Sequence, residues 1–431
     1  MPGTKHSSHG RLWYVLLPWL ICGVGALFYC YEYFLRVTPS VMQPELMSTF
    51  GIDNAMFGAL SALYYNAYTP MQLPVGMLMD RFGPRRLLTI ACLICAFGTY
   101  LFSIHVLSIA GTGRFLVGLG SAFAFVGVLK LATIWLPPQR FGMIAGLVTG
   151  LGMFGPILGD LLLTPMVAKL GWHHTVEITA ILGVILAVFI FFAVKDRNRR
   201  HGGREHRLVG HEQVSFKSLF KGFWVMLRSR QVWLAGLIGC CFYLPITIFA
   251  ELWGIPYLEQ AHGFPPMHAA MINPLIFLGF ALGGTMTGWI SDAIGRRREP
   301  LMVSGGLALA TALVLLYSSS LSVGAICFLI FLLGFFSGAQ VIVFAVSRES
   351  VHNQSAGTAL AMTNFLVMVG GMVFQPVIGL LLDNHALAAG RSVLVLNNSD
   401  YRYALIVLPL ALAIAIGFTL LLKETAGTEV K

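Results

Sequence analysis

The sequence predicts an all-α membrane protein with twelve transmembrane helices, built as two pseudo-repeated six-helix bundles. Three observations predict it. Hydrophobic residues make up 57% of the chain and charged residues 11%, whereas a soluble domain carries about a quarter charged. A water-soluble protein of 431 residues could not hide so much apolar surface, so the bilayer is the natural solvent. Twelve apolar runs are long enough to span it, at roughly 20 residues each. Finally, a short charged hinge occurs twice, about half a chain length apart. The first copy is Gly76-Met-Leu-Met-Asp80-Arg81-Phe-Gly83-Pro84-Arg85-Arg86, and the second is Gly288-Trp-Ile-Ser-Asp292-Ala293-Ile-Gly295-Arg296-Arg297-Arg298. Both keep a Gly, three residues, an Asp, two residues, a Gly and a basic cluster, which signals duplication.

The spans lie near 13–38, 54–78, 87–105, 110–134, 141–165, 173–194, 231–256, 269–290, 299–319, 322–345, 356–382 and 402–422. The polar N-terminus covers 1–12. Its following apolar run is too long for a signal-peptide core and lacks a small-residue cleavage site, so it is retained as the first span. The longest hydrophilic interruption, 195–230, separates a first bundle (13–194) from a second (231–422), and 423–431 form the C-terminus.

Placement of Lys and Arg gives the topology. With the N-terminus cytoplasmic, the inside segments carry Lys5, Arg11, the hinge arginines, Arg140, the central loop, Arg348, Lys423 and Lys431. The outside segments carry only Lys169, Arg391 and Arg402. A multi-pass cell-membrane protein follows, with both termini and both hinges cytoplasmic; the tight loops fit a bacterial inner membrane. The net charge of +10 is then a feature of topology, and no nucleic-acid partner is implied. Arg197, Arg199, Arg200, Arg204 and Arg207 of the central loop read as an inside-positive linker or a lipid- or partner-binding patch. Phe220, Phe223 and Trp224 look interfacial. Asn397-Asn398-Ser399, in an expected outer loop from Ala386 to Asp400, matches a glycosylation sequon, a pattern common by chance.

The seven cysteines all fall in apolar segments. Cys92 and Cys95 form a C-x-x-C with no partner pair or nearby His, and read as apolar fillers. No G-x-x-x-x-G-K-[ST] and no H-E-x-x-H occurs, which speaks against an ATP-driven pump or a metal-dependent membrane enzyme. No cofactor and no metal is expected.

Further traces of duplication support the first. Gly155-Pro156-Ile-Leu-Gly159 in the fifth span matches Gln375-Pro376-Val-Ile-Gly379 in the eleventh, and Pro39 has a counterpart in Pro256. Two halves with matching breaks are a transporter pattern.

On these residues the sequence resembles the major facilitator superfamily of secondary transporters, from about Trp13 to Leu422. The hinge is similar to that family's signature between the second and third helices, at Gly76, Asp80, Arg81, Gly83, Arg85 and Arg86, with Pro84 inserted. The degenerate second copy keeps Gly288, Asp292, Gly295 and Arg296, with Ala293 in place of a basic residue. The resemblance implies a gating latch that favours the outward-facing state, with Asp80 accepting from a helix N-terminus or a base of the other half. Arg114-Phe-Leu-Val-Gly118-Leu-Gly120 resembles a fourth-helix motif whose Arg is tied to proton coupling. Gly152, Gly155, Pro156 and Gly159 resemble part of an exchanger motif, with Asp160 where a final Gly is usual. Tyr29-Cys-Tyr31-Glu32-Tyr33-Phe-Leu-Arg36 is similar to anion-carrying branches, and the run after Arg36 to amino-acid or short-peptide branches.

Ionisable residues inside spans are the informative ones, since each costs roughly 2.5–3.5 kcal/mol at a helix centre and faces protein or a wet cavity. They are Glu32, Arg36, Arg114, Lys130, Asp160 and Glu251. Glu32 and Arg36, at i and i+4, share a face with Tyr29. Arg36 either grips a substrate carboxylate or phosphate through its planar fork or merely neutralises Glu32. Lys130 joins the expected binding set or snorkels out. Tyr29, Tyr65, Asn66, Tyr243, Gln340 and Asn364 complete that set, although a polar residue in a span more often ties helices together. Glu32, Arg114, Asp160 and Glu251 are the proton-coupling candidates, because burial and a neighbouring cation push a carboxyl's proton affinity in opposite directions.

The reading is a secondary active transporter working by alternating access. It would move an amino acid, short peptide or organic anion, coupled to protons, as a monomer in the lipid bilayer. The alternatives are an efflux antiporter for amphipathic compounds and a transporter-like sensor without net flux.

Overall fold

The computed structural model describes residues 8–136, 141–195, 228–318, 320–352 and 355–426. Arg140, the central-loop arginines, Phe220, Phe223 and Trp224 lie outside them.

The apolar runs fold as helices because a backbone in lipid must satisfy its own hydrogen bonds. In order they are α1 (Ser8–Val41), α2 (Asn54–Met71, continued by Val75–Phe82), α3 (Pro84–Phe102) and α4 (Leu107–Trp135). Next, α5 and α6 are the two arms of Phe141–Ala193, which reverses at Gly171 (φ 77°). The second bundle holds α7 (Arg230–His262), α8 (Pro266–Ile294), α9 (Arg298–Tyr317), α10 (Val323–Glu349), α11 (Ala356–Ala388) and α12 (Asn398–Leu421). Among the described residues, ten helical stretches are long and apolar enough to cross a membrane. One of these carries both α5 and α6, and α2 completes the set of twelve.

Several boundaries differ from the sequence reading. The first span runs on through Pro39 to Val41, and a short helix Gln43–Phe50 follows it. The outer loop expected from Ala386 to Asp400 shrinks, because α11 continues to Ala388 and Asn397 already caps α12. Asn397 accepts from the Ser399 and Asp400 backbone N–H groups, so the sequon asparagine serves as a helix cap.

The two bundles repeat the same pairings. In the first, α1 packs on α5, α2 on α4, and α3 on α4 and α6; in the second, α7 packs on α11, α8 on α10, and α9 on α10 and α12. Equivalent glycines permit the closest of these contacts. A Cβ on Gly118 would stand 2.0 Å from the Tyr64 carbonyl oxygen, and one on Gly334 would stand 2.0 Å from that of Ile276. Only a hydrogen fits there.

The halves meet along α2 with α11, α5 with α8, and α1 with α7. Their polar contacts concentrate from the middle of the bundle to the end opposite the hinges, hereafter the far end. There Asp383 accepts from the backbone N–H groups of Asn54 (3.3 Å) and Ala55 (2.7 Å), capping α2 from the other half. Gln260 donates to Gln43 at 3.4 Å. Toward the hinge end, Asn364 donates to Gln72 at 3.1 Å.

Candidate functional site

The central site is built on α1, α2, α4 and α7. The 3.6-residue period puts Tyr29, Glu32, Tyr33 and Arg36 on the inward side of α1, and Tyr64, Tyr65 and Tyr68 on that of α2. On α7 the segment Pro245–Trp253 is a π-helix, a form common at functional sites. Its carbonyls are held from outside: Thr247 O accepts from Gln375 (2.8 Å), and Ala250 O from Asn273 (2.8 Å). Glu251 sits within this widened turn.

Arg36 is the hub, and its side chain is 1% exposed. Nη2 donates to both oxygens of Glu32 at 3.2 Å, Nη1 to Glu251 Oε1 at 3.4 Å, and Nε to the Tyr64 hydroxyl at 3.1 Å. Tyr64 in turn donates to Glu32 Oε2 at 2.8 Å, and Tyr65 donates to Glu251 Oε2. The guanidinium lies 4.0 Å above the Tyr33 ring and 5.1 Å from that of Tyr68, so aromatic faces hold it as well. One guanidinium thus serves two carboxylates, one from each half, and fully buried charges are sustained only by such pairing.

Arg114 lies 5% exposed beside this hub. It donates to the carbonyls of Leu35 (2.7 Å) and Arg36 (2.6 Å) and stacks 5.2 Å from the Tyr64 ring. It therefore braces the backbone that carries Arg36. Tyr29 meets Tyr33 edge-on at 5.1 Å, and the Tyr33 and Tyr243 hydroxyls are 3.3 Å apart across the halves.

The structure gathers Tyr29, Glu32, Arg36, Tyr65, Arg114, Tyr243 and Glu251 into one cluster. The other sequence-selected residues lie elsewhere. Asn66 is exposed, on a face of α2 turned away from the neighbouring Tyr64 and Tyr65. Asn364 is half-buried and bonds Gln72, whereas Gln340 is buried in a 3-10 turn of α10. Asp160 is fully buried on α5 against Asn273 of α8. Lys130 lies at the hinge end of α4, with Nζ 2.5 Å from Asp80.

That last pair changes the picture of the hinge. Asp80 finds its base within its own half, because α4 ends beside the α2 terminus, and among the described residues it is paired with no base of the other half. Gly76 has open space around it, and Gly83 (φ 79°) turns the chain into α3. Arg81 lies over Phe82, Arg85 donates to Phe191 O at 2.8 Å, and Arg86 is exposed. In the second copy, Gly288 is loosely packed and Gly295 (φ 63°) makes the turn. Asp292 pairs with Arg297 at 2.5 Å and Arg296 with Glu299, while Arg297 also holds Glu349 at 2.6 Å. Arg297 therefore takes the place that the first copy gives to Lys130.

Sequence reasoning missed Tyr33 and Tyr68 as ring partners of Arg36, and also Asp383. Tyr33 at i−3 from Arg36 was a legible signal; the others need the tertiary fold. Among the described residues, His173, His174 and Glu177 at the far end bring three potential metal ligands within 4.8 Å of one another. Their His–Glu contacts, at 3.4 and 3.0 Å, account for the proximity.

Comparisons agree with this architecture. The chain is 26% identical to the probable sulfoacetate transporter SauU of Cupriavidus necator, over 84% of this chain and 87% of that protein. It is 22% identical to the probable galactarate/D-glucarate transporter GudP of Escherichia coli, over 93% and 96%. The crystal structure of a bacterial homologue of the human lysosomal transporter Spinster superposes with a TM-score of 0.72 at 16% identity, covering 93% of this chain and 96% of that one, a likeness of fold. The Major Facilitator Superfamily matches residues 23–375 and 256–429, and the chain is a multi-pass membrane transporter belonging to that family.

Proposed function

We propose that this protein is a secondary active transporter that carries a small organic anion by alternating access, coupled to protons. The observation that carries the reading is the sharing of Arg36 between Glu32 and Glu251. An anionic substrate offers Arg36 the same planar two-oxygen partner that these carboxylates supply. Binding of the anion and protonation of Glu32 or Glu251 are therefore matched events. Each proton taken by a carboxylate frees part of the guanidinium fork, and the substrate's oxygens occupy it. Because Glu251 comes from the second half and Glu32 from the first, this exchange also loosens a bond between the halves. The names of SauU and GudP, with sulfoacetate and sugar diacids as cargo, support an organic acid over an amphipathic cation.

We further place the hinge ends and both termini in the cytoplasm of a bacterial inner membrane, on the Lys and Arg asymmetry. The working unit is a monomer, since each half finds its partner within the chain. One proton moving down the membrane potential supplies about 2.3 kcal/mol per 100 mV.

The test is uptake of radiolabelled sulfoacetate, glucarate and related organic acids into proteoliposomes, with and without an inward proton gradient. Saturable, gradient-dependent accumulation is expected. Saturable binding with no flux would leave a sensor in its place, and stabilisation by hydrophobic cations alone would overturn the anion assignment.

A further inference from the structure

Asp160 is a buried acid that the Arg36 cluster does not use. It stands on α5 where the resembled exchanger motif has a glycine, at the contact between α5 of one half and α8 of the other. Its Oδ2 accepts an N–H of Asn273 at 2.7 Å, while its Oδ1 has no hydrogen-bond partner. Asn273 gives another N–H to the Ala250 carbonyl at 2.8 Å, and its own Oδ1 is also without a partner. The amide is wedged against α7, since a Cβ on Gly254 would stand 2.2 Å from Asn273 Oδ1. Both side chains are 0% exposed.

The surroundings leave the carboxyl little else to pair with. Tyrosines and cysteines aside, the ionisable groups on the central and far-end parts of the elements packed around it are Lys169 on α5, Glu32 and Arg36 on α1, Glu251, Glu259 and His262 on α7, and His268 on α8; His9 and Arg11 of α1, Arg230 of α7 and Asp292 of α8 lie toward the hinge end. Glu32 and Glu251 are each bonded to Arg36, and none of these groups is hydrogen-bonded or ion-paired to Asp160 among the described residues. An ionised carboxylate held by one amide N–H, with its other oxygen bare, is a poor occupant of such a place. A carboxylic acid suits it. The acid accepts the amide N–H at one oxygen and carries a proton at the other, and the same amide offers an unpartnered acceptor in Asn273 Oδ1.

We infer that Asp160 is a second proton-binding site, occupied while the two halves are closed together at the far end and vacated when α5 and α8 part there. The proton is held between Asp160 Oδ1 and Asn273 Oδ1; on opening, entering water takes it and leaves a solvated carboxylate. Closure at the far end thus requires this proton whatever the Arg36 cluster holds. The inference rests on the transporter reading only in needing the halves to move.

The experiment is pulsed electron spin resonance on the full chain in nanodiscs without substrate. Non-cysteine spin-label amino acids replace Lys169 and Met267, both exposed at the far end. From about pH 5 to about pH 9, in potassium buffer, the long-distance population should rise at least about fivefold in the parent protein. Asp160→Asn, which imitates the neutral acid, should stay short with less than about a twofold change. Asn273→Ala should show the long population at both pH values. A parental pH response persisting in either variant, or no response in the parent, would overturn the proposal. So would closure driven by sodium at high pH, which would make the ligand a metal cation. Loss of anion uptake with this pH response intact would count against the Arg36 reading alone.

Discussion

Arg36 and Glu251 meet across the two halves, Nη1 to Oε1 at 3.4 Å, with side chains 1% and 0% exposed. This contact ties the binding residue of one bundle to an acid of the other, so occupancy and opening share one set of atoms. Arg36→Lys keeps the charge but loses the fork. It should weaken the Kd for an anionic substrate at least about tenfold, and Arg36→Ala at least about a hundredfold. Titration calorimetry checks both, and unchanged affinity in Arg36→Ala would remove it from the site.

Glu251→Gln keeps the shape and loses the titratable group. Exchange of substrate between two loaded sides should persist, while accumulation driven by a proton gradient should be lost. Counterflow and gradient-driven uptake in the same liposomes separate the two.

Gly118→Ala places a methyl 2.0 Å from the Tyr64 carbonyl, so α2 and α4 must separate. A loss of about 1–3 kcal/mol is expected from overpacking. Because Tyr64 also holds Arg36 and Glu32, affinity should fall along with Tm. Gly23→Ala, with nothing within 4 Å of the added carbon, serves as the silent control.

At the hinge, Asp80→Asn and Lys130→Ala break the same 2.5 Å pair. Both groups are partly solvated, so the pair itself contributes little to stability. Transport should slow severalfold, by about the same factor in each, with substrate affinity spared in a conformationally locked protein. Unchanged flux in both would deny the pair a part in gating.

Glu424, beyond α12, accepts the backbone N–H groups of Arg297 (2.8 Å) and Arg298 (3.2 Å), capping α9. Partial burial pushes its carboxyl up, but these backbone donors outweigh it and hold it below the ordinary value. A depressed carboxylate contributes stability above its unfolded pKa and loses it as pH falls through the folded one. Glu424→Gln should therefore lower Tm at neutral pH, by an amount that shrinks as pH falls below the ordinary carboxylate range.

Much of the fold was legible because lipid imposes simple rules. Apolar run length fixed the spans, and the twin hinges at Gly76 and Gly288 exposed the duplication. The charged members of the site were legible for the same reason: Glu32, Arg36, Arg114 and Glu251 have no place in hydrocarbon, and the structure gathers these four together. The neutral candidates were harder to sort. Tyr65 and Asn66 are adjacent in sequence, yet one bonds Glu251 and the other is exposed. Lys130 and Asp160 were equally conspicuous as charges, but one pairs with the hinge and the other with Asn273.

By itself the sequence determined that the chain spans the bilayer as two related six-helix halves, since hydropathy and repetition are local properties. The hinge residues were legible from their spacing alone. Only the tertiary structure decided which charges meet, because pairing across halves depends on helix rotation and on the π-turn that carries Glu251. It also showed Asp80 bound to Lys130 of its own half, a choice set by the close packing of α2 on α4.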